Sequence, residues 1–183
     1  MTLKTKFLEK IDFKPSGDDL ALIKKLNMKS PLIWIATVGG LGFCRPAPGT
    51  WGTLGALPIA LMIYLWGGMS AYIIAFFIFL ALGYIATKSF EKQSGSHDSK
   101  MIVIDELLGL WIALTPSFFF GEVSVVHIAA AFVLFRIFDI IKPYPIRDFD
   151  RDIDGAVGVI ADDIVAGQYA AIVMVALMYG NII

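Results

Sequence analysis

GVIADDIVAG, residues 158–167, sets two adjacent aspartates, Asp162 and Asp163, among aliphatic, alanine and glycine neighbours. It opens an apolar segment of roughly 156–179, long enough to cross a bilayer core that takes ~20 apolar residues of helix. A carboxylate deep in that core costs roughly 2.5–3.5 kcal/mol on insertion scales, and less near an interface. Two of them, a turn or more inside the segment, point to a function that outweighs the cost. The rest of the chain supports a membrane setting. Of 183 residues, 57% are hydrophobic and 17% charged, and mean hydropathy is +0.74. A soluble domain carries about a quarter charged residues. The expected fold is all-α, a polytopic membrane helical bundle.

Working back from that segment, four more apolar stretches appear, at roughly 53–66, 69–87, 102–120 and 123–141. The last three have spanning length. The first is short, and "PLIWIATVGGLGF" (31–43) precedes it, so 31–66 either crosses once or forms a re-entrant, broken hairpin. The expectation is about five membrane helices plus a re-entrant or short N-terminal segment. "GFCRPAPGTWG" lies between the two pieces, and its glycines and prolines interrupt any continuous helix. Residues 1–30 carry seven lysines and no apolar core of a secretory signal. They read as a cytoplasmic extension touching anionic lipid, with a short amphipathic helix around "DDLALIKKL". Residues 31–183 form the membrane-embedded domain. Net charge of −1 suggests no nucleic-acid partner, and the lone Cys44 excludes an internal disulfide.

Charge placement sets the orientation. All fifteen Lys and Arg fall in 1–50, in "KSFEKQSGSHDSK" (88–100), or in 136–151; "GGMS" (67–70), "TPSFFFGEVS" (115–124) and "YGNII" (179–183) have none. The positive-inside rule makes the basic loops cytoplasmic, with the N-terminus inside. Asp105 and Glu106 then begin the third segment, Arg136, Asp139 and Lys142 end the fourth, and Asp162 and Asp163 lie near the start of the fifth. Arg45 and His97–Asp98 sit in adjoining loops. All of these groups reach one boundary and can converge on one site.

Their chemistry narrows what that site does. Neighbouring helical residues differ by about 100° in direction, so neither acidic pair hides on one stripe, but both can line a shared cavity. Carboxylates without histidine or thiol partners suit a hard cation such as Mg²⁺. Asp105 and Glu106 also suit a plain helix start, where the dipole favours acids. Arg136, Asp139 and Lys142 recur every third residue, which fits either an ion-pair row or a phosphate grip beside a metal ligand. Pro143 disfavours helix at Lys142, which is expected to leave the membrane in an extended turn. In "RPAPGTWGTLG" (45–55), Gly49, Gly52 and Gly55 permit close helix contact. The same stretch leaves amides and the Thr50 and Thr53 hydroxyls open to phosphate at a helix start. His97 beside Asp98 suits a proton relay or simple solvation. His127 and Cys44 read as structural.

"RPAPGTWGTL", "HDSKMIVIDELLGLW", "FRIFDIIKPYPIRDFDR" and "GVIADDIVAG" together resemble the signature blocks of the bacterial phosphatidylglycerophosphatase A family, in its order and spacing, over about residues 27–180. Two departures are mild: Thr53 stands where the family has serine, and "VGGLGF" is worded differently. The resemblance implies a Mg²⁺-dependent phosphatase of the inner membrane that takes the terminal phosphate from phosphatidylglycerophosphate. It carries functional roles onto Thr50, His97, Asp98, Asp105, Glu106, Arg136, Asp139, Lys142, Asp162 and Asp163. On that footing Asp105, Glu106, Asp162 and Asp163 are expected to bind Mg²⁺, with Asp139 as a further ligand. Arg136, Lys142 and Thr50 are expected to hold phosphate, with Arg45 as a cation at the mouth. The nucleophile is water or an aspartate, Asp139 or Asp162, and a homo-oligomer is compatible with the sequence.

Two other classes compete. A CDP-alcohol phosphotransferase also uses membrane aspartates, yet "DGAVGVIADD" (154–163) lacks that family's Ala-Arg pair and later aspartates. A small transporter would spread polar groups through the membrane depth, whereas the far halves of these segments are almost purely apolar.

Overall fold

The computed structural model describes residues 17–96, 99–144, 146 and 155–183. Among them the chain forms six α-helices and no strand: α1 (Gly17–Ile23), α2 (Pro31–Ala36), α3 (Pro48–Ser94), α4 (Ile104–Phe120), α5 (Val125–Ile141) and α6 (Ala156–Tyr179). A 3₁₀ turn, Leu41–Phe43, joins α2 to α3. The all-α expectation holds. Of the lysine-rich extension, 1–16 lies outside the described residues, and α1 covers the start of the "DDLALIKKL" stretch.

The prolines of "RPAPG" interrupt the helix as expected, and Pro48 also opens the next one. Pro48 takes the first helical position of α3, where its fixed φ fits and its missing N–H would have had no partner. The helix then runs on through the "GGMS" connection, broken only at Gly68, whose φ of 65° and ψ of −164° are non-helical. Only glycine adopts that conformation at little strain. The chain reverses there. Gly52 packs on Val103 and Gly83 on Ile104, while Tyr64 stacks on Phe118 and Tyr72 meets it edge-on, at the opposite end of α4. So 48–67 and 69–94 are the two antiparallel arms of a hairpin, the first two expected segments.

Helix α4 forms the centre of the bundle. Leu107, Leu108, Trp111 and Leu114 are completely buried in it. The Tyr72 hydroxyl donates to the Trp111 carbonyl at 2.6 Å, and the Trp111 indole donates to the Ala56 carbonyl at 3.2 Å. Both hairpin arms are thereby tied to α4. Helix α5 starts at Ser124, whose hydroxyl accepts the His127 N–H at 3.3 Å and lies 2.7 Å from His127 Nδ1. His127 is structural, as expected.

The stretch 31–43 dips and returns. Helix α2 has six residues, and Val38, Gly39 and Gly40 after it all take left-handed φ. Ala36 accepts the Val103 N–H at 2.9 Å, and Gly42 lies so close to the Met101 carbonyl that no side chain fits. Ala36, at the end of α2, and Gly42 therefore both stand at the level of the start of α4. Residues 48–67 then make the first full-length helix.

Large apolar side chains also cover the outside: Trp66 is 87% exposed, and Ile74, Phe77, Ile140 and Ile172 stand out as well. Among the described residues, α3 and α6 are long and apolar enough to cross a membrane. Helices α4 and α5 have 17 residues each, somewhat short of the ~20 of a usual span. An apolar interior under an apolar surface marks a membrane protein. The starts of α3, α4 and α6 and the ends of α3 and α5 gather at one end of the bundle, and there the site lies.

Candidate active site

Three helix starts and one helix end supply the side chains. Asp105 and Glu106 stand in the first turn of α4, Arg136 and Asp139 near the end of α5, and Asp162 and Asp163 two turns into α6. With Lys142, they line one cavity of about 310 Å³, closed by Pro46–Gly49 at the start of α3 and by Ser99, Lys100, Ile102 and Val159. The five acids and two bases singled out in the helical segments thus converge.

They divide into pairs and a remainder. Arg136 Nη1 lies 2.5 Å from Asp139 Oδ2, one turn along α5. Lys142 Nζ lies 2.6 Å from Asp162 Oδ2 and joins α5 to α6. Lys142 is left-handed, with φ 46° and ψ 62°, rather than extended, and its N–H closes the helix on the Phe138 carbonyl. This places the ammonium over the cavity. Asp105, Glu106 and Asp163 are the remainder, each offering an oxygen within 4.8 Å of the other two. Asp162 and Asp163 go to different partners, as the 100° between neighbouring helical directions requires.

The three-carboxylate cluster is what a cation would satisfy. Asp105 Oδ1 and Glu106 Oε2 are buried without hydrogen-bond partners among the described residues. Buried charges are normally paired or coordinate a metal, because an isolated one is costly to take out of water. Three carboxylates with no sulfur or imidazole form a donor set for a hard divalent ion. The residues present fit such an ion.

The glycine-rich start of α3 serves both packing and the site. Gly52 lies against Val103, where a Cβ would come 2.5 Å from the valine Cβ, and Gly55 lies against Leu41. Gly49 faces the cavity: a Cβ there would collide with Glu106 Oε1 and lie 3.2 Å from Arg136 Nη1. The N-cap of α3 is Ala47, which has no capping side chain, so first-turn amides stay open beside the cavity. Thr53 is fully buried and donates its hydroxyl to the Gly49 carbonyl at 2.7 Å. Thr50 is half-buried in the first turn and is not among the lining residues. Arg45 stands next to the lining Pro46 and pairs with Asp19 of α1. His97 and Asp98 lie outside the described residues. Asp19 was not singled out in the sequence, nor were Gly109 and Gly167, where α4 and α6 touch; each of those glycines follows an acid by one turn.

Comparisons with known proteins agree with this geometry. The sequence profile of the family described as Phosphatidylglycerophosphatase A matches residues 34–178. A Haemophilus influenzae protein named phosphatidylglycerophosphatase A is 36% identical over 157 residues, 86% of this chain and 94% of the relative. An Escherichia coli protein of the same name is 37% identical over 159 residues, covering 86% and 88%. A Bacteroides thetaiotaomicron protein provisionally named phosphatidylinositol-3-phosphatase is 36% identical over 152 residues, covering 78% and 90%. No solved structure matches significantly. The chain belongs to the phosphatidylglycerophosphatase A family and is a phosphatase.

Proposed function

We propose that this protein hydrolyses phosphatidylglycerophosphate to phosphatidylglycerol and phosphate at the cytoplasmic face of the bacterial inner membrane, with Mg²⁺ as cofactor. The observation that carries the reading is the gathering of five carboxylates and two cations in one cavity at one end of an apolar bundle of this family. Asp105, Glu106 and Asp163 are the metal ligands, with Asp139 and Asp162 adjoining. When bound, the ion supplies Lewis-acid polarisation of a phosphoryl oxygen. The positive-inside rule, applied to the basic loops, supports a cytoplasmic position for this end of the bundle, and the apolar helices leave both acyl chains in the bilayer.

Phosphoryl transfer is catalysed mainly by positioning and by neutralising charge on the transferred group. Arg136 and Lys142 are held over the cavity by Asp139 and Asp162, so their donors are oriented before a phosphate arrives. They grip its peripheral oxygens, and the open amide at Gly49 completes the cradle, since a helix N-terminus welcomes an anion. Arg45 stands at the mouth, beside Pro46. One of the three cluster carboxylates, through an oxygen left over from holding the ion, orients the attacking water opposite the leaving oxygen. His97 and Asp98, adjacent in the chain to the lining Ser99, are a further proton-relay pair.

Phosphate release by purified protein tests this directly. Phosphatidylglycerophosphate with Mg²⁺ is expected to be hydrolysed, with activity lost to a chelator and restored by Mg²⁺. Phosphatidylinositol 3-phosphate, assayed beside it, is expected to be the poorer substrate. Chelator-resistant release, or ion flux in liposomes without release, would overturn the reading.

A further inference from the structure

Gly109 and Gly167 mark a place where the main chains of α4 and α6 touch. A Cβ on Gly167 would collide with the Gly109 carbonyl oxygen and lie 3.0 Å from its carbonyl carbon. A Cβ on Gly109 would lie 2.6 Å from the Asp163 carbonyl oxygen and collide with the ring of Phe135. The carbonyl atoms among these are main chain, which cannot swing aside as a side-chain tip can. There the two helices meet main chain to main chain, with no side chain between them.

The same two glycines stand in fixed relation to the carboxylate cluster. Gly109 follows Asp105 by four residues, and Gly167 follows Asp163 by four. Residues four apart lie on the same helix face, one turn from each other. Asp105 and Asp163 are therefore carried on the faces that touch, one turn toward the charged end from the crossing. Their oxygens, with one from Glu106, lie within 4.8 Å of one another. Carboxylates on two neighbouring helices of ordinary spacing would have to reach that distance by side-chain extension alone.

We infer that Gly109 and Gly167 are positioning residues: their backbone contact sets the span between Asp105 and Asp163 and so the affinity of the cluster for a divalent ion. The inference rests on the proposed metal role of those carboxylates. Ligating groups work within tolerances of roughly 0.5 Å. A misplacement of about 1 Å costs on the order of 10²-fold in rate.

The test is Mn²⁺ binding followed by electron paramagnetic resonance in detergent-purified protein, with thermal unfolding and phosphate release measured alongside. Gly167→Ala and Gly109→Ala are each expected to weaken Mn²⁺ binding by roughly 10–100-fold, the range in which misplaced ligand support acts. Asp163→Glu, added to Gly167→Ala, lengthens the reach by one methylene and is expected to recover part of the Mn²⁺ affinity without raising the unfolding temperature. Unchanged Mn²⁺ affinity in both alanine variants would overturn the inference. So would a variant that fails to fold, or loses stability and metal together with no recovery from Asp163→Glu, because the glycines would then be purely structural. If the unaltered protein binds no Mn²⁺, the metal reading itself fails, a result distinct from all of these.

Discussion

Asp163→Asn is expected to lower phosphate release by about 10³-fold or more, since a lost metal ligand forfeits several kcal/mol of transition-state stabilisation at about 1.4 kcal/mol per tenfold. The fold is expected to survive. Asp163 is buried close to Asp105 and Glu106, and cationic partners in the site go to Asp139 and Asp162. Replacing one of three crowded carboxylates with an amide of the same shape removes its repulsion with the other two. Thermal unfolding of the purified variant in metal-free buffer should therefore be unchanged or shifted upward, while phosphatidylglycerophosphate turnover collapses. A variant that turns over normally removes Asp163 from the chemistry. One that unfolds assigns it to structure.

Lys142→Met has a different signature. The Lys142 side chain is 28% exposed and that of Asp162 8%, so the pair spans the cavity mouth and its floor. Removing one partner of a buried pair typically costs 3–5 kcal/mol, because the other charge loses its compensation. Partial exposure places this pair near the lower end, at about 3 kcal/mol. Phosphate release is expected to fall as well, since the ammonium no longer meets the substrate. Lys142→Met with Asp162→Asn should regain most of the lost stability and none of the activity, as read by denaturant unfolding and phosphate release. Activity returning with stability would show that Lys142 acts only as a strut.

The two variants separate because charges in an apolar chain are conspicuous while their pairing is not. The sequence placed seven charged residues at one end of the bundle, since a carboxylate in "GVIADDIVAG" or "VIDELLGL" has few uses away from a site. Fifteen basic residues sorted onto alternate connections gave the helices their common end. The three-to-two division of the acids depends on helix rotation. Adjacent acids must part by about 100°, but nothing in "ADD" says which of them meets Lys142. The three-dimensional packing decides that Asp162 does.

The glycines were less legible for a related reason. A lone glycine in an apolar helix is weakly informative, and neither "DELLG" (105–109) nor "DDIVAG" (162–167) stands out. Their shared pattern, an acid followed by glycine one turn later, was the available signal. The breaks expected at "RPAPGTWG" and "GGMS" are both present: Pro48 opens α3 after the first, and the second is confined to Gly68. The dip at 31–43 turns on three consecutive left-handed residues, Val38, Gly39 and Gly40. Two glycines there hint at a turn, but a β-branched valine in that conformation is held by tertiary contacts that sequence does not display.

The most direct measurement is a structure of the purified protein soaked with Mn²⁺ and an inert phosphate analogue, with the ion located by anomalous scattering. The account predicts an ion among the carboxylates of Asp105, Glu106 and Asp163, with analogue oxygens turned toward Lys142 and Arg136. An ion bound elsewhere, or an analogue seated away from that cavity, would contradict it.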